Sequence, residues 1–84
     1  MWADAQIVDL SKSGAKLMVP EIYPLSPRFL VLQIRGGIVY DMRLRWRRGD
    51  LAGLAVESRR EIEGSVDQDL IDLEPTWRAL AAMA

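Results

Sequence analysis

The sequence predicts a mainly β domain: a small antiparallel β-barrel of about five strands with a C-terminal α-helix. Three observations carry that expectation. Short β-branched or alternating runs recur at hairpin spacing between breaks rich in Gly, Pro and Ser. Ile38 to Arg48 alternates, with Ile38, Tyr40, Met42, Leu44 and Trp46 on one face and Asp41, Arg43, Arg45 and Arg47 on the other. Towards the end the period changes, and Leu70, Leu73, Trp77 and Leu80 recur at helical intervals. The strands suit a small barrel or a curled sheet, and a relatively flat five-stranded sheet is the alternative.

The first strand is expected over about Ala5–Leu10, centred on Ile7 and Val8, and Ser11–Gly14 follows as a tight turn in which Gly14 can take a positive φ. Ala15–Val19 makes the second strand, and Pro20 ends it because proline cannot serve a central ladder. Pro20–Pro27 holds three prolines and reads as a loop. The apolar run Arg28–Arg35 has the length of a buried strand, and Gly36-Gly37 turns it into the alternating strand Ile38–Arg48. Gly49-Asp50 turns again into Leu51–Glu57, where Gly53 marks a bulge or a close backbone approach. Residues 58–69 read as a polar linker. The helix is expected over about 70–83, its regular part starting near Glu74 because Pro75 suits a first turn. Ile7, Leu17, Leu32, Tyr40, Leu44 and Leu54 form the expected core.

At 84 residues the chain is expected to be a single domain with a modest core. It has no Cys and no His, which removes disulfides, thiolate and imidazole metal sites, thiol enzymes and His-based hydrolases. Binding is a better expectation than catalysis, and no catalytic residue, metal ligand or cofactor is assigned. No apolar run approaches the roughly 20 residues of a membrane span. Met1–Asp4 lacks the character of a secretory signal, so a cytoplasmic location is expected. The net charge of −1 hides a segregation, since residues 28–60 sum to +5 and residues 61–84 to −5. These opposite regions can pair within the chain, between two copies, or with an anion.

Asp9-Leu10-Ser11-Lys12-Ser13-Gly14 has an acid, a serine and a glycine at the spacing of the PilZ motif, within a strand-turn-strand context. Arg45-Trp46-Arg47-Arg48-Gly49-Asp50-Leu51-Ala52-Gly53-Leu54 resembles the last hairpin of the same family, in the matching order. The stretch from Ala5 to about Glu57 therefore resembles a PilZ domain. The resemblance implies a small antiparallel barrel with a C-terminal helix, a role in bacterial signalling, and cyclic di-GMP as ligand. Asp9 would accept hydrogen bonds from guanine, Ser11 would offer a hydroxyl, and Gly14 would let the backbone approach a flat base. Trp46 is placed where it could stack on guanine, although its alternation with Leu44 and Met42 points to core packing.

The same residues also suit a plain turn, because Asp and Ser side chains bond nearby backbone N–H groups there. The family's Arg-x-x-x-Arg pair is missing: eight residues precede Asp9 and none is Arg or Lys. Arg43 to Arg47 spells the pattern inside a strand and does not carry that role. Binding is accordingly expected to be weak or absent, with Arg47 and Arg48 as substitute phosphate contacts. The alternative is an interaction module that holds a protein partner through its sheet or its Trp77 helix. Nucleic acid is a poorer candidate, because aromatic residues are few and the net charge is slightly negative. A monomer is the expected state, with a homodimer as the alternative. The helix is expected to dock on its own barrel through Trp77 and Leu80.

Overall fold

The computed structural model describes residues 4–83. Met1–Ala3, which carry most of the stretch read above for signal character, lie outside the described residues, as does Ala84. Five strands and one helix follow in the order β1 (Gln6–Leu10), β2 (Gly14–Met18), β3 (Arg28–Gln33), β4 (Ile38–Arg48), β5 (Leu51–Glu61) and α1 (Gln68–Met83). All pairings are antiparallel, in the single sheet β1-β2-β5-β4-β3. The two longest strands, β4 and β5, form its centre.

The mainly β class with a C-terminal helix is as expected, but the sheet stays open, with β1 and β3 as its two edges. A closed barrel has one interior, whereas this sheet carries apolar side chains on both faces at its β3–β5 end. Ala15, Leu17, Val19, Tyr40, Met42, Ala52 and Leu54 are buried together on the inner face. Leu25, Phe29, Val31, Leu44 and Val56 pack around them. Each fully buried Leu or Met here contributes about 1.5–3 kcal/mol. Of the expected core, Leu17, Tyr40 and Leu54 are buried in this cluster, while Ile7 and Leu44 are half-buried against it. Leu32 belongs elsewhere. Paired with Val39 across the strands, it faces the opposite side, where Val39, Ile62 and Leu70 are buried with Leu73 and Trp77.

The loop after β2 closes over the inner core and is tied down by hydrogen bonds. Arg47 donates to the carbonyls of Pro20 at 2.8 Å and Val19 at 3.3 Å, and also to that of Tyr23. The Glu21 N–H donates to Asp50 Oδ1 at 2.7 Å, and the Leu44 N–H to the Pro27 carbonyl at 2.8 Å.

Three departures from the sequence reading concern the C-terminal third. β5 runs on to Glu61 and Ile62 is buried, so much of the expected linker is strand and core. Polar Arg59 and Arg60 are tolerated in the strand because Arg60 finds partners across the sheet. The helix begins at Gln68 and holds Pro75 in its interior. Burial of Leu70 outweighs the missing proline N–H, and Ile71 and Pro75 are both exposed, so water can satisfy the freed carbonyl. The helix docks on its own sheet as expected, through Leu70, Leu73 and Trp77, with Leu80 only half-buried.

Arg60 pins that docking. Its guanidinium grips both carboxylate oxygens of Asp41 at 3.1 Å, reaches Asp69 at 3.0 Å and Asp67 at 3.5 Å. The Ser58 hydroxyl donates to the same Asp41 carboxylate. The opposite charges of the two regions therefore meet within one chain. The hydrogen bond from Arg60 holds the Asp69 carboxyl below its ordinary range, and the same bond raises the Arg60 pKa.

Candidate ligand-binding site

The outer face of the sheet is covered by the helix at one end and uncovered over β1, β2 and the far halves of β4 and β5. The site is built there from three local devices. The first is the β1–β2 turn. The Ser11 N–H donates to the Gly14 carbonyl at 2.8 Å, the Ser11 hydroxyl donates to the same oxygen at 3.1 Å, and it accepts from the Gly14 N–H at 3.2 Å. Ser11 thus fixes the turn while keeping one lone pair for another donor. Gly14 does not adopt a positive φ, contrary to expectation. Its role is close approach, since a Cβ there would stand 3.3 Å from the Leu54 carbonyl.

The second device is cross-strand register. Asp9 pairs with Lys16 and Lys16 with Gly53, so an acid, a cation and a bare glycine lie abreast on the outer face. The third is a bulge in β4. Leu44 pairs with Leu54 and Trp46 with Gly53, leaving Arg45 as the extra residue. That insertion reverses the alternation beyond it. Trp46 turns outward, 41% exposed, and its indole lies flat across Gly53, where a Cβ would be 2.1 Å from the ring nitrogen. The expected core packing of Trp46 is therefore corrected. The expected single stripe of Arg43, Arg45 and Arg47 is corrected as well, because the bulge turns Arg47 towards the inner core and its loop.

Together these devices form a shallow depression of about 200 Å³, lined by Asp9, Ser11, Gly14, Lys16, Arg45, Trp46 and Gly53, with Ala15 and Leu54 also contributing. Asp9, Ser11, Gly14 and Trp46, all named from the sequence, come together. Arg47 and Arg48 do not line the depression; Arg47 is spent on the loop carbonyls and Arg48 stands beside the Gly49 turn. Comparison with family models, with curated proteins and with solved structures finds no match.

Lys16 is the charged lining residue that sequence reasoning missed, and Arg45 was legible only as one of a basic stripe able to meet phosphates, not as a neighbour of Asp9 and Trp46. Lys16 lay in plain alternation within β2; only register and bulge bring the two together. Gly53 did give a signal, as a glycine inside a strand. No group of three or more His, Cys, Asp or Glu side chains that could hold a metal ion occurs among the described residues. No described helix is long and apolar enough to cross a membrane.

Chemically, the depression offers a flat aromatic surface, a carboxylate acceptor, a hydroxyl and two cations. That set suits a planar base with an anionic substituent.

Proposed function

We propose that this chain is a PilZ-like bacterial signalling domain of the cytoplasm that binds cyclic di-GMP weakly on the uncovered half of its sheet. The observation that carries this reading is the convergence of Asp9, Ser11 and Gly14 with Trp46, far away in sequence, around one depression. A guanine laid on the Trp46 indole gains stacking of about 1–3 kcal/mol. Its N1–H and amino group can then donate to the Asp9 carboxylate, and the free lone pair of Ser11 can take a further donor. Gly14 and Gly53 keep the floor low enough for a ring to lie flat. The proposed role is binding, through stacking and hydrogen bonds, and no catalytic role is assigned to these residues.

The depression is smaller than the roughly 300–1,000 Å³ of pockets that enclose a ligand. Most of a dinucleotide would remain in solvent, and the dissociation constant is expected in the micromolar range or weaker. Calorimetric titration of the chain with cyclic di-GMP tests this. Asp9→Ala and Ser11→Ala are expected to weaken binding with the fold intact. A nanomolar constant, or unchanged affinity in both variants, would refute the reading.

A second reading, an adaptor for a protein partner independent of nucleotide, is favoured by the exposed Met18, 42%, and Trp46, 41%, on the same uncovered face. Absence of any heat with cyclic di-GMP at millimolar concentration would put this reading first. The protomer is proposed to act as a monomer, because the helix face expected to seek a partner is already spent on its own sheet; sedimentation as a dimer would contradict that.

A further inference from the structure

Among the described residues the cations fall into two groups. Arg28, Arg47, Arg59, Arg60 and Arg78 are all held by carboxylates or carbonyls of the chain itself. The side chains of Lys12, Lys16, Arg35, Arg43, Arg45 and Arg48 have no hydrogen bond or ion pair to any described residue, and of these six Lys16 and Arg45 line the depression that carries the Trp46 platform. A bulge is a local disruption of the ladder that re-aims side chains. Here the inserted residue is Arg45 itself, set beside an outward-turned indole and diagonal to Lys16, which pairs with the same Gly53 that Trp46 covers.

We propose that Lys16 and Arg45 form a phosphate grip, so that the depression takes a phosphorylated purine with its base on Trp46 and its phosphate between the two cations. This inference deepens the reading of the depression as a guanine-nucleotide site and rests on it for the base. The division of labour is chemical. Asp9 and Ser11 would meet the hydrogen-bonding edge of the base, and Lys16, directly paired with Asp9 and lying between it and Gly53, would offset the acid's repulsion of the phosphate. Lys16 supplies a compact, mobile charge and Arg45 a planar fork that matches two phosphate oxygens. Both are solvent-accessible, so their attraction for the anion is screened and binding falls as salt rises.

The test is a calorimetric series on the full chain with cyclic di-GMP, guanosine and inorganic diphosphate as probes. Lys16→Gln and Arg45→Gln are the variants, and Arg35→Gln, in the β3–β4 turn away from the depression, is the control. Each charge-removing variant is expected to weaken cyclic di-GMP by about tenfold or more, from the ordinary strength of a charge-assisted hydrogen bond. The double variant should also lose most of the salt dependence, while guanosine binds wild type and variants alike. Cyclic di-GMP bound equally well by all variants overturns the grip and leaves the guanine reading standing. Diphosphate bound as tightly as cyclic di-GMP, and lost in both variants, supports the grip and overturns the guanine reading. No heat from any probe overturns both.

Discussion

The outer face of this sheet uses the same parts twice, to different ends. At the β3–β5 end an indole, Trp77, lies against a glycine, Gly37, and the arginine over its ring, Arg78 at 5.2 Å from the centroid, is held by the Glu74 carboxylate at 2.7 Å. At the β1–β2 end an indole, Trp46, lies across Gly53, and Arg45 stands beside it with no partner among the described residues. The first indole is fixed by donating from Nε1 to the Ile34 carbonyl at 2.8 Å, and it arrives on the chain's own helix. The second is half open to solvent. The lesson is that an aromatic-on-glycine contact with a nearby cation is structural where the chain supplies the acid, and available to a ligand where it does not.

The largest contrast is expected from removing the two indoles. Trp77→Ala should destabilise by about 3–5 kcal/mol and reduce the helical signal, because it strips the helix of its aromatic anchor beside Leu70 and Leu73. Trp46→Ala should lose only about 1–2 kcal/mol and keep the helix, while ligand binding disappears. Urea unfolding followed by circular dichroism compares them. Equal losses would show that both contacts serve stability alike.

The glycines sharpen the comparison. Gly37 has φ +62° and a Cβ there would stand 2.6 Å from Trp77 ring carbons. Gly37→Ala should therefore destabilise by about 2–4 kcal/mol, from overpacking and left-handed strain together. Gly53→Ala pushes against an indole that can swing into solvent, so about 1 kcal/mol or less is expected. Its main effect should fall on binding, read by titration with cyclic di-GMP.

Arg47 and Arg45 differ in the same sense. Arg47→Ala releases the loop after β2 and should lower stability by about 1–2 kcal/mol in urea unfolding. Arg45→Ala should stay within about 0.5 kcal/mol of wild type.

The smallest effect concerns pH. Asp69 has its carboxyl pKa lowered in the fold by Arg60, so its stabilisation is present above the ordinary carboxylate value of 3.8 and is lost as pH falls through the folded value. Melting temperature in Asp69→Asn should accordingly fall less steeply than wild type on acidification below about pH 4. Parallel curves would remove Asp69 from the clasp.

Much of the fold was legible because strand alternation and turn glycines are local signals. The helix stripe was legible for the same reason. What was not legible depends on pairing between distant segments. The bulge at Arg45 exists only relative to Gly53, and it decides which way Trp46 and Arg47 point. β5 could not be extended to Glu61 from sequence, since Arg60 looks like linker until Asp41 is placed opposite it. Pro75 read as a helix start because its local preference was visible and the burial of Leu70 was not. Of the candidate site, Asp9, Ser11 and Gly14 were legible as a motif and Arg45 as part of a basic stripe, whereas Lys16, and the placing of Arg45 beside Trp46, entered through register alone.

One measurement tests the contrast between the two ends most directly. In a Trp2→Phe background, the indole N–H resonances of Trp46 and Trp77 can be followed by two-dimensional NMR as cyclic di-GMP is added. The Trp46 signal is expected to shift progressively with micromolar or weaker affinity, together with the Gly14 and Gly53 amides, while Trp77 stays in place. A Trp77 shift with Trp46 unmoved, or no shift in either, would contradict a nucleotide site on the open half of the sheet.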